Sequence, residues 1–194
     1  KGMGDVAELV IAKLEKEGTA AEADVAFAID PLVKGLSTKG DFCSPNGEKC
    51  FARIAALVRK TAAYKHIRVV TVSADIFSNA GSTIVEELAF ALSAGNDYIA
   101  RLTDAGLTVD EAARKLRFSF SVTSNYFMEI AKFRAARMLW ANIVKAYNPE
   151  KHCAGKMMIH AATSKWNQTV YDPYVNMLRG TTEAMSAVIG GVRS

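Results

Sequence analysis

The chain of 194 residues lacks most of the features that mark specialised classes of protein. No apolar run approaches the roughly 18 residues that a membrane span needs, and no run of basic residues suggests binding to nucleic acid. The formal net charge of +4 is too small to indicate a polyanionic partner. The first residues also lack the apolar core and cleavage site of a signal peptide. These absences predict a globular domain that binds neither nucleic acid nor membrane.

Cysteine is scarce as well, with only Cys43, Cys50 and Cys153, and no pair of them has CxxC spacing. An odd number of cysteines without a paired motif argues against a disulfide framework and favours a reducing, cytoplasmic compartment. A zinc site built from these thiols and His152 would match no standard zinc-finger spacing. The sequence therefore predicts three free thiols.

What the chain does contain is four short, β-prone apolar runs, separated by longer segments of helical periodicity. The runs cover residues 24–29, 68–73, 117–122 and 156–161. Strands that alternate with helices pair in parallel through right-handed crossovers. The pattern predicts one α/β domain, and by itself it leaves open an open doubly wound sheet or half of an eight-stranded barrel.

The predicted helices each carry one apolar stripe, and they cover residues 5–17, 48–64, 82–105, 124–147 and 172–190. Thr108 and Glu111 have the spacing of a capping box, which predicts a further short helix ending near Lys115. Asp172 and Pro173 suit the start of the last helix, as N-cap and first helical residue. The chain begins inside a helical pattern and ends where another strand is expected, so we expect a piece of a larger protein.

Three separated stretches carry a family resemblance. They are NAGSTIVEELAFALSAGNDYI at 79–99, YFMEIAKFRAARMLW at 126–140, and TSKW with DPY.N..R.T.EA..A..GG at 163–191. In this order they resemble the adenosylcobalamin-dependent methylmalonyl-CoA mutases, over roughly residues 69–191. The tripeptide Asp30-Pro31-Leu32, after the first strand, is similar to the small-subunit branch of that family.

The resemblance implies a (β/α)8 TIM barrel through which coenzyme A is threaded, followed by a cobalamin-binding domain. It also implies interconversion of methylmalonyl-CoA and succinyl-CoA. Residues 1–194 are then expected to form one partial barrel of about four parallel strands with crossover helices. The D-x-H-x-x-G motif, whose histidine ligates cobalt in the family, is absent from the sequence. We therefore expect adenosylcobalamin in the family complex but not bound to this chain.

In the alignment that the resemblance implies, three polar residues of the family motifs are replaced in this chain by apolar ones. The family motif SGYHMQEAG falls on residues 73–81 and puts Ile76 in place of the histidine that binds the substrate thioester. The motif RxHCQTSGW puts Met158 in place of an arginine and Ala162 in place of a glutamine. An isoleucine side chain can neither donate nor accept a hydrogen bond. We therefore expect no catalytic residues in this chain. The three positions are predicted to lie together at the strand ends that face the reaction.

Two residues remain as vestigial substrate-binding candidates, His160 and Lys115. Lys115 stands where the family has an arginine that helps to hold coenzyme A, and Arg117 replaces a small serine beside it. The simpler interpretations are a satisfied core histidine, and solvated or salt-bridged charges near a helix end. Trp140 and Trp166 are predicted to be packing residues.

The resemblance, together with the loss of these polar residues, implies that the chain belongs to the non-catalytic small subunit of a methylmalonyl-CoA mutase. Such a subunit is expected to form a heterodimer with a catalytic large subunit and to stabilise it. Because a partial barrel leaves sheet edges unpaired, self-association of the chain is also expected. Two alternatives stay open. One is a working acyl-CoA mutase of altered specificity, and the other is a stand-alone α/β binding domain.

Overall fold

The computed structural model describes residues 3–33 and 47–194. The strands are β1 (Val25–Ile29), β2 (Ile67–Ser73), β3 (Leu116–Val122) and β4 (Ile159–Thr163). The helices are α1 (Met3–Lys16), α2 (Gly47–Lys60), α3 (Asp75–Asn79), α4 (Ile84–Asp104), α5 (Val109–Arg114), α6 (Tyr126–Ala146) and α7 (Pro173–Ile189), with a 3-10 turn at His152–Gly155.

The four strands form one parallel sheet in the order β1-β2-β3-β4, curled into half of a barrel. Strand order therefore follows chain order, whereas a doubly wound sheet reverses its order at a switch point. The prediction of a partial (β/α)8 barrel is confirmed, and the open doubly wound sheet is excluded.

Strand β4 starts three residues later than the sequence predicts. The 3-10 turn ends at Gly155, and Ile159 is the first residue of β4 that pairs with β3, opposite Phe118. The apolar pair Met157 and Met158 was wrongly included in the strand, because it belongs to the segment that leads into the sheet. Local hydrophobicity does not reveal this difference, since both segments contribute apolar side chains.

The helix-facing side of the sheet forms the hydrophobic core, and its centre is aromatic. Phe118 on β3 meets Trp140 on α6 edge to face, with ring centroids 4.7 Å apart. Gly95 lets α4 approach both rings, because a Cβ atom built there would lie 2.8 Å or less from Phe118 and Trp140. The prediction that Trp140 is a packing residue is confirmed.

A buried ion cluster joins α4 and α6 to the carboxyl end of β3. The ammonium group of Lys132 on α6 lies 2.7 Å from Glu87 on α4 and 2.6 Å from Glu129, and all three side chains are almost completely buried. Lys132 also donates to the carbonyl oxygen of Ser121, and the amide of Ser121 donates to Glu87 at 2.8 Å. The cluster thus fixes both helices to the strand.

Polar side chains also set the helix ends. Thr108 and Glu111 form the predicted capping box at the start of α5, and Thr83 and Glu86 form a second one on α4. Arg137 donates to the carbonyl oxygens of Gly190 and Gly191, and so ties α6 to the end of α7.

The segment after α7 returns to the sheet. The carbonyl oxygen of Ser194 accepts a hydrogen bond of 2.9 Å from the amide of Ala161 on β4. Arg193 reaches Asp24, just before β1, at 3.2 Å. The last residues therefore lie along the outer edge of β4.

The described residues include no helix that is long and apolar enough to cross a membrane. Within the same residues, Cys50 and Cys153 are exposed free thiols, and no group of side chains suited to a metal ion occurs. Cys43 lies outside the residues that the structure describes.

Candidate functional site: the concave face of the half-barrel

The concave face of the sheet is polar in its central rows. Parallel pairing places Ser73, Ser119 and His160 in one row across β2, β3 and β4, and Thr71 and Arg117 in the row below. These positions alternate with the core residues of the same strands, so their side chains point away from the helices. The face is therefore lined with hydroxyl, guanidinium and imidazole groups.

The sequence analysis did not identify the serines of this face as site residues. The signal was available in the run Arg117-Phe118-Ser119-Phe120-Ser121, where polar and aromatic residues alternate with the period of a strand. That alternation puts Arg117, Ser119 and Ser121 on one face.

Two of the three positions at which a polar family residue is replaced lie at the carboxyl end of the strands. Ile76 is in α3, directly after β2, and Ala162 pairs with Ser121 near the end of β3. Met158 precedes β4 at its amino end, and its carbonyl oxygen accepts from the amide of Phe118. At about 3.3 Å per residue it is some 13 Å from Ala162 along the chain. The expectation that all three share one set of strand ends is therefore wrong for Met158.

His160 lies half-buried on the concave face. Its Nδ1 atom is 3.2 Å from the hydroxyl oxygen of Ser194. Burial, and then the positive charge of Arg117, lower the pKa of His160, although Asp75 acts in the opposite direction. The imidazole is therefore expected to be neutral at neutral pH, with one ring nitrogen engaged by Ser194.

Arg117 is not at a solvated helix end, as the simpler interpretation expected. It is half-buried on β3, and its Nε atom donates to the hydroxyl oxygen of Thr71 at 3.2 Å. Thr71 in turn donates to the carbonyl oxygen of Phe27 at 2.8 Å. Thus β1, β2 and β3 together hold the guanidinium group over the concave face.

Lys115 lies at the end of α5, as the simpler interpretation of a charge near a helix end expects, but it is buried rather than solvated. It directly precedes β3 and is only 4% exposed. Its ammonium group donates to three carbonyl oxygens, those of Thr61, Tyr64 and Ile67, at 2.5, 2.8 and 3.2 Å. The side chain therefore binds the segment that connects α2 to β2, which is a structural role.

Burial of Lys115 is expected to make the free energy of unfolding depend on pH in the alkaline range. Desolvation, followed by the charges of Arg68 and Arg114, lowers the pKa of Lys115 from 10.5 to about 8. The unfolded chain then holds more protons than the folded one between these values, so the free energy of unfolding rises as pH increases across this window. Relative to Lys115→Met, the unsubstituted chain should gain up to about 1 kcal/mol per pH unit there.

Urea unfolding at about pH 7 and about pH 10 measures this difference. The exposed Lys65 provides the matched control, because Lys65→Met makes the same substitution at a solvent-exposed position. A Lys115→Met chain whose stability follows that of the unsubstituted chain at both pH values would contradict the assignment.

Asp30 organises the carboxyl end of β1. Its Oδ1 atom accepts from the amide of Val33 at 3.0 Å and from the hydroxyl of Tyr98 at 2.7 Å, and its Oδ2 atom accepts from the amide of Ser73 at 2.7 Å. One buried carboxylate thus joins β1, the last residue of β2 and α4. It holds the strand ends beside the concave face in fixed positions.

Trp166 differs from the prediction of a packing residue, because its side chain is 70% exposed. It lies in the segment after β4, against Gly81, which has a φ of +102°. Ser164 accepts from the amide of Trp166 at 3.1 Å and so fixes the turn that displays the indole.

A sequentially ordered parallel sheet, with core side chains toward the helices and polar side chains on the concave face, defines this chain as part of a (β/α) barrel. The family model for methylmalonyl-CoA mutase matches residues 5–194. The chain belongs to the methylmalonyl-CoA mutase family.

Several relatives agree with this assignment. The chain is 45% identical to the methylmalonyl-CoA mutase small subunit of Porphyromonas gingivalis, over 84% of this chain and 25% of the relative. It is 34% identical to the mitochondrial methylmalonyl-CoA mutases of Bos taurus and Homo sapiens, over 93% of this chain and 24% of each relative. The chain therefore spans about a quarter of the length of these relatives.

The residues present do not fit the cobalamin cofactor that the family implies. The chain has three histidines, His66, His152 and His160, and none lies in a D-x-H-x-x-G motif. His160 engages Ser194, at the edge of β4. No histidine of the kind that ligates cobalt in the family is therefore supplied by these residues.

Proposed function

We propose that this chain is the barrel portion of a non-catalytic small subunit of a methylmalonyl-CoA mutase. Its role is to pair with the catalytic large subunit and to stabilise that subunit in the heterodimer. The complex would interconvert methylmalonyl-CoA and succinyl-CoA with adenosylcobalamin, which this chain would not bind. The small-subunit relative from Porphyromonas gingivalis supports the assignment.

The main support is the chemistry of the carboxyl strand ends. Ile76 follows β2 and Ala162 lies near the end of β4, where the family resemblance places a histidine and a glutamine. Neither replacement can form a hydrogen bond through its side chain. A site that depends on hydrogen bonds to a polar substrate loses on the order of 10⁴-fold in selectivity when such a bond is missing.

Two basic residues add to this argument. Lys115 commits its ammonium group to three backbone carbonyls, so it is not free to hold coenzyme A. Arg117 extends over the concave face at the position of a family serine, and its bulk opposes the passage of an extended acyl-CoA chain. The barrel is therefore proposed to be closed to the family substrate.

The remaining assignments are proposals of the same kind. Residues 1–194 are assigned to a single partial barrel domain. Free, exposed Cys50 and Cys153 are compatible with a reducing, cytoplasmic compartment. Within residues 3–33 and 47–194, β1 pairs with β2 alone, and this supports the expectation that the chain associates with itself.

Calorimetric titration of the chain with succinyl-CoA and, separately, with adenosylcobalamin tests the proposal. We expect no stoichiometric binding of either, while a catalytic mutase relative in the same buffer provides the positive control. Tight stoichiometric binding of either compound would refute the non-catalytic role.

One observation favours a second candidate, a working acyl-CoA mutase of altered specificity. His160 is retained on the concave face beside Ser119, where an acyl group could be contacted. Titration with a series of acyl-CoA esters separates the candidates. Binding of one ester with succinyl-CoA excluded would favour altered specificity, and absence of binding throughout would favour the small subunit.

A further inference from the structure

A carboxyl group on α7 contacts an amide group in the segment that follows β4. Nδ2 of Asn167 donates to Oε1 of Glu183 at 2.5 Å, and Glu183 is only 1% exposed. Oδ1 of Asn167 and Oε2 of Glu183 are also buried, and neither atom has a hydrogen-bond partner among the described residues. The two oxygen atoms without partners therefore belong to the same pair of side chains.

The described residues themselves enclose these two oxygen atoms. Each atom has almost no accessible surface, so any further residue would reach it only by displacing the side chains around it. Reversal of the Asn167 amide gives no better arrangement, because its oxygen would then lie against Oε1 of Glu183. Since a buried acceptor without a donor is costly, a proton is required between the two groups.

The surroundings of Glu183 disfavour its ionised form. Burial raises the pKa of Glu183 above its usual 4.5; the hydrogen bond from Asn167 opposes this shift, the charge of Glu129 on α6 adds to it, and Arg179 on α7 opposes it. Lys132 is the cation of the buried cluster, but its ammonium group pairs with Glu129 and with a second glutamate on α4. The carboxyl group of Glu183 thus lies near a carboxylate whose cation is already engaged.

We propose that Glu183 is a neutral carboxylic acid in the folded chain and that its proton joins Oε2 to Oδ1 of Asn167. The acid and the amide then form two hydrogen bonds in one ring, and all four polar atoms have partners. This acid–amide pair links α7 to the segment after β4, next to the exposed Trp166. Loss of the proton leaves two acceptors in contact, so the link is sensitive to pH. The pair goes beyond the proposed function, since it involves neither a large subunit nor acyl-CoA.

NMR spectroscopy of the chain as a function of pH tests the protonation state. We expect the carboxyl carbon resonance of Glu183 to report the protonated form at neutral pH, where exposed glutamates are ionised. The indole N–H resonance of Trp166 should change with the same midpoint, because Trp166 adjoins Asn167. A carboxylate resonance at neutral pH, as expected if a water molecule donates to both oxygens, would overturn the proposal. A titration of Glu183 without a response of Trp166 would overturn the link between α7 and this segment.

Unfolding measurements test the same proton by linkage. The folded chain keeps a proton that the unfolded chain releases above about pH 4.5, so the free energy of unfolding falls as pH rises above this value. Relative to Glu183→Gln, the unfolding equilibrium constant of the unsubstituted chain should rise by up to about tenfold per pH unit, until Glu183 ionises in the folded chain. Urea unfolding at a series of pH values measures this ratio.

Three variants provide the comparison. Glu183→Gln reproduces the protonated form, because the new amide can donate to Oδ1 of Asn167 and accept from its Nδ2. This variant should be more stable than the unsubstituted chain at neutral pH. Glu183→Ala removes both hydrogen bonds and should raise the unfolding equilibrium constant by about tenfold or more. Glu22→Gln is the matched control, because it makes the same substitution at a solvent-exposed position.

A Glu183→Gln chain that does not fold, or that is less stable than the unsubstituted chain at neutral pH, would contradict the proposal, because this variant retains both hydrogen bonds. Equal effects of the Glu183→Gln and Glu22→Gln substitutions at every pH would also contradict it. These outcomes are independent of the proposed function, which fails only if succinyl-CoA or adenosylcobalamin binds.

Discussion

Replacement of Lys132 by methionine is expected to lower the free energy of unfolding by about 3–5 kcal/mol, because it leaves buried carboxylates without their cation. Lys132 lies between Glu87 and Glu129, and none of the three side chains has appreciable contact with solvent. The carbonyl oxygen of Ser121 would also lose its donor from Lys132. Methionine has a similar length, so the loss of charge is measured with little change in volume.

Lys145 provides the matched control on the same helix, because it is exposed at the far end of α6. Lys145→Met should change stability by less than about 0.5 kcal/mol. Urea unfolding followed by circular dichroism measures both variants. Equal, small effects for the two lysines would show that the cluster contributes little to stability.

Substitution of Asp30 by asparagine should cost about 2–3 kcal/mol. The side chain keeps its shape, but the amide can present an acceptor on only one side. Either the amide of Ser73 or the donors of Val33 and Tyr98 then face an NH₂ group. Because Asp30 is buried, a donor that loses its acceptor has no access to water as a replacement.

Asp24, at the other end of β1, is the control for this prediction. It forms an exposed ion pair with Arg193, and such pairs contribute at most about 1 kcal/mol. Thermal or urea unfolding of Asp30→Asn and Asp24→Asn should therefore give clearly different losses. A larger loss for Asp24→Asn would contradict the role assigned to Asp30.

Sequence periodicity predicted the four strands and the long helices, because each strand has a compact apolar run and each long helix has a single apolar stripe, but it did not predict α3. It failed at the start of β4, where Met157 and Met158 are apolar but precede the pairing with Phe118. The Lys132 cluster was not predicted either. Glu87 and Lys132 are 45 residues apart, and only the packing of α4 against α6 brings their side chains together.

The candidate site was predicted only in part, again because the sequence does not show where residues lie in the folded chain. Alignment with a family identifies Ile76, Ala162 and Met158, but it does not state at which end of a strand each residue lies. A residue just before a strand and one near its end are at opposite ends of a parallel sheet, which separates Met158 from the other two. Likewise, nothing in the sequence around Lys115 indicates that three backbone carbonyls converge on its ammonium group.

The hydrogen bond between Ser194 and Ala161 makes the two edges of the sheet unequal. The segment that includes Ser194 occupies part of the outer backbone of β4, while in the described part of the chain β1 pairs with β2 alone. Two copies that joined through β1 would be related by a twofold axis and would use the same surface, so growth would stop at a dimer. Joining β1 to β4 of the next copy would instead require the segment at Ser194 to leave β4, which disfavours head-to-tail growth.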